Sequence, residues 1–360
     1  MIMIFYLLNK NFDTIYVIDA YISAIWTDRY CGYGDFELVI SPSTEIGNYI
    51  LKSGRDELFL AQPNSDRLMF VETKRLTTNV EQGDTLIISG RSLESVLCRR
   101  IVWGLTYVKG TIQNVIEKLL NDSIISPVPK GNIGSARKIS NFIFSKTTDE
   151  TISELSSIHG QYTGKIIYDI VLEICETYNI GFKVILNSKK QLVFSLYNGE
   201  DRSQYIIFSE DFGNLISTNF YESYENFSNV TLIGGEDKDN SRVYQTFTKE
   251  TNSGLNRHES FTDARDVRST DDNGVELGST EYNKLLVERG KTKLNEKDSV
   301  KSFEGEFETS VQYQYGIDYA VGDIVKVKND YGISSDCRIS EIVFSKDENG
   351  EYAIPTFVSV

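Results

Sequence analysis

Histidine is almost missing from this chain. His159 and His258 are the only two in 360 residues, and neither stands in a His-Glu-x-x-His or Cys-Gly-x-Cys context. Metallohydrolase and thiol-protease frameworks therefore find no footing. Cysteine is scarce too. Cys31, Cys98, Cys175 and Cys337 lie far apart with no Cys-x-x-Cys pair, so neither a zinc site nor a disulfide framework follows. Buried free thiols made in a reducing cytoplasm are the expectation. Only five prolines occur, which leaves no Pro-rich linker and no low-complexity segment. Basic charge is short as well: 37 Lys and Arg face 52 Asp and Glu, a net charge of −15. That balance argues against tight binding to nucleic acid phosphates or anionic lipid. The apolar start, Met1 to Leu8, is ended by Asn9, Lys10 and Asn11 and lacks a basic n-region and a cleavage site. It is too short to span a membrane and reads as a first β-strand.

What is present favours β-structure. Twenty-one Tyr and nineteen Phe far outnumber two Trp and three Met, a bias suited to strands. The length predicts two to four domains. From Ser302 to Tyr315 the sequence alternates without an error. Phe303, Gly305, Phe307, Thr309, Val311, Tyr313 and Tyr315 point one way, and Glu304, Glu306 and Glu308 share the other face with Ser and Gln. A period of two over that length predicts one strand of roughly 40 Å with a buried face and a wet, acidic face. A turn-rich link, Tyr315 to Asp323, then leads to a strand at Ile324 to Lys328. Long amphipathic antiparallel strands build barrels and sandwiches that line or wall something. The chain reads first as a structural part.

Further strands are expected at Thr14 to Ala20, Asp35 to Ser41, Glu57 to Gln62, Leu68 to Thr73 and Asp84 to Ser89, between Gly, Asn, Asp and Pro punctuation. A short helix follows at Ser92 to Arg100, with Ser92 as its N-cap. Helical spacing returns in Ile112, Val115, Ile116, Leu119 and Leu120, and again in Ile167, Ile170, Val171, Ile174 and Tyr178. A hairpin is expected from Phe182 to Leu186 and Gln191 to Tyr197. Strand pattern resumes at Tyr205 to Ser209 and Asn219 to Ile233. A polar excursion from Gly234 to about Ser299 holds a helix near Glu281 to Leu294, and a closing hairpin turns at Asn349-Gly350. Two β-rich blocks thus alternate with more helical segments, without a sequence repeat.

Five segments resemble the hub proteins of phage tail baseplates, also called tail-associated proteins. They are Trp26 with Cys31-Gly32-Tyr33-Gly34-Asp35-Phe36-Glu37-Leu38; Ile88 to Leu97, containing Gly90-Arg91-Ser92-Leu93, with Arg99 and Arg100; Ser253 to Asp266; Asp318-Tyr319 to Gly322-Asp323-Ile324-Val325; and Pro355-Thr356-Phe357. The resemblance implies an α+β, β-rich fold of two tail-tube-like antiparallel β-barrels with two inserted α+β domains, three chains closing into a ring. Mapped here, residues 1–105 are the first barrel and 106–199 the first insert. Residues 200–235 and 299–360 form the second barrel, and 236–298 the second insert, with a helix. The implied role is a structural hub at the virion tail tip, assembled in the host cytoplasm. The implied partners are two further copies in a homotrimer, the distal-tail or tail-tube ring, the tape-measure protein, and tip fibre or receptor-binding proteins. DNA passes through without tight binding. No cofactor and no enzymatic activity are implied. Many members carry a long C-terminal fibre or lytic domain, whereas this sequence stops at Val360. Receptor binding and peptidoglycan cleavage are therefore expected on other proteins.

Each chemical candidate has a bland counterpart. His159-Gly160 reads as a loop. Cys31, between Tyr30 and Gly32, suggests an exposed nucleophile, but no base is placed by sequence, and a turn cysteine is the plainer reading. Acidic pairs could mimic a glycosidase dyad, and carboxylates are abundant enough to pair by chance. Asp237-x-Asp239-Asn240 and Asp271-Asp272-Asn273-Gly274 are partial calcium-loop look-alikes that read as solvated turns. Arg257, Glu259, Asp263, Arg265 and Asp266 either clasp a neighbouring subunit or form an internal salt-bridge cluster tethering the second insert. Glu304, Glu306 and Glu308 are either an ordinary solvent face or the anionic lining of a DNA channel. The alternative functions are a cell-wall hydrolase component of the tail tip and a carbohydrate-binding β-module. The β-module would need a cluster of exposed rings among Tyr221, Tyr224, Tyr313, Tyr315 and Tyr319.

Overall fold

The computed structural model describes residues 3–81, 83–129, 131–153, 158–238, 241–307, 312–348 and 350–360. The chain forms two compact units. The first gathers residues 1–95, 181–221 and 302–360; the second gathers 96–180 and 222–301.

In the first unit, alternating apolar side chains make strands, as their period requires. Trp26 on Ser23–Arg29 stands opposite Phe36 on Asp35–Ile40. Its ring lies 6.2 Å from Phe36 and 6.0 Å from Phe5. A four-stranded sheet, in the order Thr14–Ile18, Phe5–Asn9, Leu58–Ala61, Leu68–Phe70, buries Leu7, Leu60 and Met69 in the same core. The glycines of two segments singled out in the sequence are close-approach positions. A Cβ on Gly34 would overlap the Thr27 carbonyl oxygen, and one on Gly90 the Phe70 carbonyl oxygen, so only glycine fits.

A ten-stranded sheet runs through the unit. Its main path is Leu215–Ser223, Val300–Phe307, Gly350–Ser359, Ser334–Asp347, Ser23–Arg29, Asp35–Ile40, Thr85–Arg91, Thr73–Thr77. Ile324–Lys328 pairs with the first part of Ser334–Asp347 and, in parallel, with Ile207–Ser209. Beyond Ser340, where the register shifts, Ser334–Asp347 takes Ser23–Arg29 as its neighbour, with Phe344 opposite Trp26. The N-terminal and C-terminal β blocks therefore share one sheet. A second core of Phe208, Phe303, Val325, Val327, Ile339 and Phe357 fills the C-terminal side, and Phe344 packs against both cores. Among the described residues the pairing is an open path, ending on Leu215–Ser223 and Thr73–Thr77.

The long alternating strand is shorter than its pattern. Pairing covers Val300–Phe307; residues 308–311 lie outside the described residues, and Gln312–Gln314 are not strand. Local and tertiary bonds override the period there. The Gln314 N–H donates to Asp318 Oδ2 at 2.7 Å, and the Asp318 N–H donates back to the Gln314 carbonyl at 2.8 Å. Ile324–Lys328 falls where expected. A helix at Glu45–Lys52 and the strands Ser23–Arg29 and Thr73–Thr77 were not expected.

The second unit is more helical. The Thr111 hydroxyl accepts from the Asn114 N–H and caps helix Ile112–Leu120, whose Ile112, Val115, Ile116, Leu119 and Leu120 are buried. Helix Ile167–Thr177 buries Ile167, Ile170, Val171 and Ile174, as the spacing predicts. The polar excursion is more ordered than its composition suggests. Ser241–Thr248, Val230–Lys238 and Glu259–Asp263 form a three-stranded sheet. Helix Ser279–Asn295 shares a core with it through Tyr282, Leu285, Leu286 and Ile233. The expected run from Asn219 to Ile233 breaks between Ser223 and Val230. There the buried Asn229 accepts from the His258 N–H at 2.9 Å and donates to the Asn256 carbonyl at 2.8 Å.

Candidate functional site

The first unit holds a cleft of about 700 Å³, floored by Asp28, Arg67, Tyr197 and Tyr315 and rimmed by Asp66, Lys183, Arg202 and Asp323. Asp28 comes from Ser23–Arg29, and Ser65, Asp66 and Arg67 from the loop before Leu68–Phe70. Lys183 and Tyr197 come from the hairpin Gly181–Leu186 and Leu192–Tyr197.

Ionic and polar side chains fill the floor, most of them buried. The Asp28 carboxylate accepts from Trp26 Nε1, Ser65 Oγ and the Tyr315 hydroxyl, each at 2.9 Å. Burial pushes its pKa up, opposed by the charge of Arg67. Burial pushes the Tyr315 and Tyr197 hydroxyls up as well, so both stay protonated donors. Arg67 Nη1 pairs directly with Glu94, and Nη2 donates to the Arg29 carbonyl and the Tyr197 hydroxyl, both at 3.2 Å. Burial alone would lower the guanidinium pKa; Glu94, with Tyr197, Asp66 and Asp28, holds it above its usual value. Glu94, fully buried, also accepts from Ser92 Oγ and from the Val184 N–H at 2.8 Å.

At the rim, Arg202 Nε donates to Asp323 Oδ2 at 2.8 Å, and Asp323 also accepts from the Glu200 and Ala320 N–H groups. Lys183 reaches Asp66 at 2.5 Å and lies over the Tyr197 ring. This arrangement fastens three chain segments together. Among the described residues no group of His, Cys, Asp and Glu could hold a metal ion.

Sequence reasoning missed this network, although a signal existed. Trp26, Ser92, Glu94 and Asp323 all lie in segments singled out by resemblance. Ser92 is not the helix cap expected of it. The short helix is a 3₁₀ turn, Leu93–Arg99, and the Ser92 hydroxyl instead accepts from the Gly34 N–H at 2.8 Å and bonds Glu94.

Of the expected acidic face, Glu304 is exposed, and its carboxylate accepts from Asn219 at 3.5 Å. The Glu306 side chain and all of Glu308 lie outside the described residues. The other charged group divides into pairs within the second unit. Arg257 meets Glu259 at 2.6 Å, Arg265 and Arg242 meet Asp263 at 2.6 and 2.7 Å, and Asp266 meets Arg289 of helix Ser279–Asn295 at 3.0 Å.

His159 is not in a loop. It lies in strand Ile158–Tyr162, buried, with Nδ1 3.2 Å from the Tyr107 hydroxyl and 3.3 Å from Glu281. Burial holds its pKa below the ordinary value, against the pull of Glu281. His258 is exposed, its ring 5.4 Å from Phe227. None of the four cysteines is in a disulfide; Cys175 and Cys337 are buried, Cys31 and Cys98 half-buried. Asp271 Oδ1 accepts from the Asn273 and Val275 N–H groups and closes its own turn; residues 239 and 240 lie outside the described residues. Tyr221 and Tyr224 are exposed. Tyr313 and Tyr315 are half-buried and Tyr319 is buried, all in the second core around Phe208.

The model of the Siphovirus ReqiPepy6 Gp37-like protein family matches residues 4–357. No curated protein matches the chain. Among solved structures, the 43 kDa tail protein of prophage MuSo2 from Shewanella oneidensis is similar with a TM-score of 0.61 and 12% identity, over 99% of this chain and 98% of that one. The tail protein from Neisseria meningitidis MC58 gives 0.60 and 12%, over 99% and 96%. Prophage tail protein gp18 from Listeria monocytogenes EGD-e gives 0.54 and 12%, over 99% and 94%. At that identity the likeness is one of fold.

Proposed function

The chain belongs to the Siphovirus ReqiPepy6 Gp37-like protein family, and from that premise we propose that it is a structural, non-enzymatic hub at a phage or phage-like tail tip. Three copies form a ring, each contributing the two β blocks that the resemblance expects as tail-tube-like barrels and that here share one open sheet. The ring joins the tube or distal-tail ring to the tip and surrounds the DNA channel.

The observation that carries this reading is the sheet open at both ends. Leu215–Ser223 is a nine-residue edge strand, exposed over most of its length, with Ile216 and Tyr221 each about half exposed. Proteins cover or blunt such edges, because bare N–H and C=O groups recruit other strands. The two edges differ in charge. Thr73–Thr77 carries Lys74 and Arg75 and no acid, and exposed Arg75 has no ion-pair partner among the described residues. Leu215–Ser223 carries Glu222 and is preceded by Glu210, whose pKa is raised by the hydrogen-bonded Asp330 beside it. Head-to-tail pairing of two unlike edges closes into a ring when the rotation permits. The interface expected is above about 2,000 Å² per pair, in the obligate range.

The test is the mass of the purified protein by light scattering, with the symmetry seen in micrographs of assembled tails. Three copies and threefold symmetry are expected. A stable dimer, or a sixfold ring of this chain alone, sinks the reading.

A further inference from the structure

A second, smaller recess in the first unit, about 50 Å³, has aromatic walls contributed by Phe208, Tyr313 and Phe344. Gln62 lines it and is 4% exposed, yet its buried amide nitrogen has no hydrogen-bond partner among the described residues. A buried donor left without a partner is destabilising and marks a place where an acceptor belongs. The remaining polar lining is mostly uncharged amide, with Asn64 and Gln314 among it, and its one carboxylate, Glu351, is held by Lys346.

We propose that this recess binds the acetamido group of an N-acetylhexosamine. The volume seats the acetyl end of that group, about three heavy atoms, and not a ring. An acetamido group supplies a methyl for the aromatic walls and a carbonyl oxygen to accept from Gln62 Nε2. The pyranose would stay at the mouth, its C–H face against a tyrosine ring and its hydroxyls among the amides, as aromatic and amide groups together favour. A phosphate or carboxylate ligand is disfavoured, because no cation is found among the described residues that line the recess. The proposal stands independently of the tail-hub reading.

The test is saturation-transfer NMR with chitotriose, against cellotriose and fully deacetylated chitosan trimer of the same length. Chitotriose should bind with its acetyl methyl most strongly saturated, and the other two should bind at least tenfold more weakly. Gln62→Leu should weaken chitotriose by roughly tenfold, the worth of one hydrogen bond to a buried donor. Tyr352→Ala, on the half-exposed rim, should weaken all saccharide contact and serves if Gln62→Leu does not fold. Equal binding of the three trimers, no saturation of the methyl, or chitotriose affinity unchanged in a folded variant overturns the proposal.

Discussion

The Arg67 guanidinium and the Glu94 carboxylate meet in a direct ion pair, their side chains 5% and 0% exposed. Neither charge can shed its partner without being left in a low-dielectric floor. Hydrogen bonds from Ser92 and Val184 to the same carboxylate bring the Thr85–Arg91 strand end and the Gly181–Leu186 hairpin to one point.

Glu94→Gln should cost about 3–5 kcal/mol of stability, because it leaves Arg67 buried and uncompensated. Replacing both residues by leucine should cost clearly less than that single change. Urea unfolding of the two variants checks it. Equal losses would mean that packing, and not charge, governs the site.

Asp28 gives the unit a pH dependence. Its folded pKa lies above the unfolded value because burial disfavours the anion. The native state therefore binds the proton more tightly, and that contribution is present below the unfolded pKa and lost as pH rises through the folded pKa. Asp28→Asn removes the titration. The stability of the variant relative to the parent should climb with pH above about 4, by at most about 1.4 kcal/mol per pH unit. Urea melts from pH 3.5 to 8 would show it, and a flat difference would place the Asp28 pKa at its unfolded value.

If the acidic face lines the channel, changing Glu304, Glu306 and Glu308 together to Lys should leave the fold nearly intact, since exposed substitutions cost little. Tails should assemble but release DNA slowly, and the defect should shrink as salt rises. Normal release by the triple variant at low salt puts these residues on the outer surface.

Arg75→Glu should weaken ring formation, and adding Glu222→Arg should restore part of it if those two edges meet. Sedimentation of the single and double variants reads the outcome. Full assembly of Arg75→Glu would move the contact elsewhere.

The sequence made legible what local period controls. Phe36, Leu38 and Ile40 announce their strand, Ile112 to Leu120 their helix, and Ile324 to Lys328 its short ladder. Thr73–Thr77 was not legible because an edge strand with both faces wet has no apolar alternation to show; its burial is slight throughout. Gln312 to Tyr315 misled in the opposite sense. Their alternation is real, but Tyr313 and Tyr315 spend their hydroxyls on the Tyr205 carbonyl and Asp28, and the backbone turns to let them. The ionic floor escaped for a different reason. Asp28, Arg67, Glu94 and Tyr197 are far apart in the chain, and a pairing of charges leaves no period in a sequence.

The strand Ser334–Asp347 changes neighbours partway along, so the ladder from Glu341 to Lys346 is the seam that joins the two β blocks. Load applied along those strands would be shared by the whole row of hydrogen bonds in shear, with none peeled first. Phe344, held in both cores, keeps the row in register. Under tension such a seam gives way all at once or not at all, so the two blocks would yield as a single mechanical element.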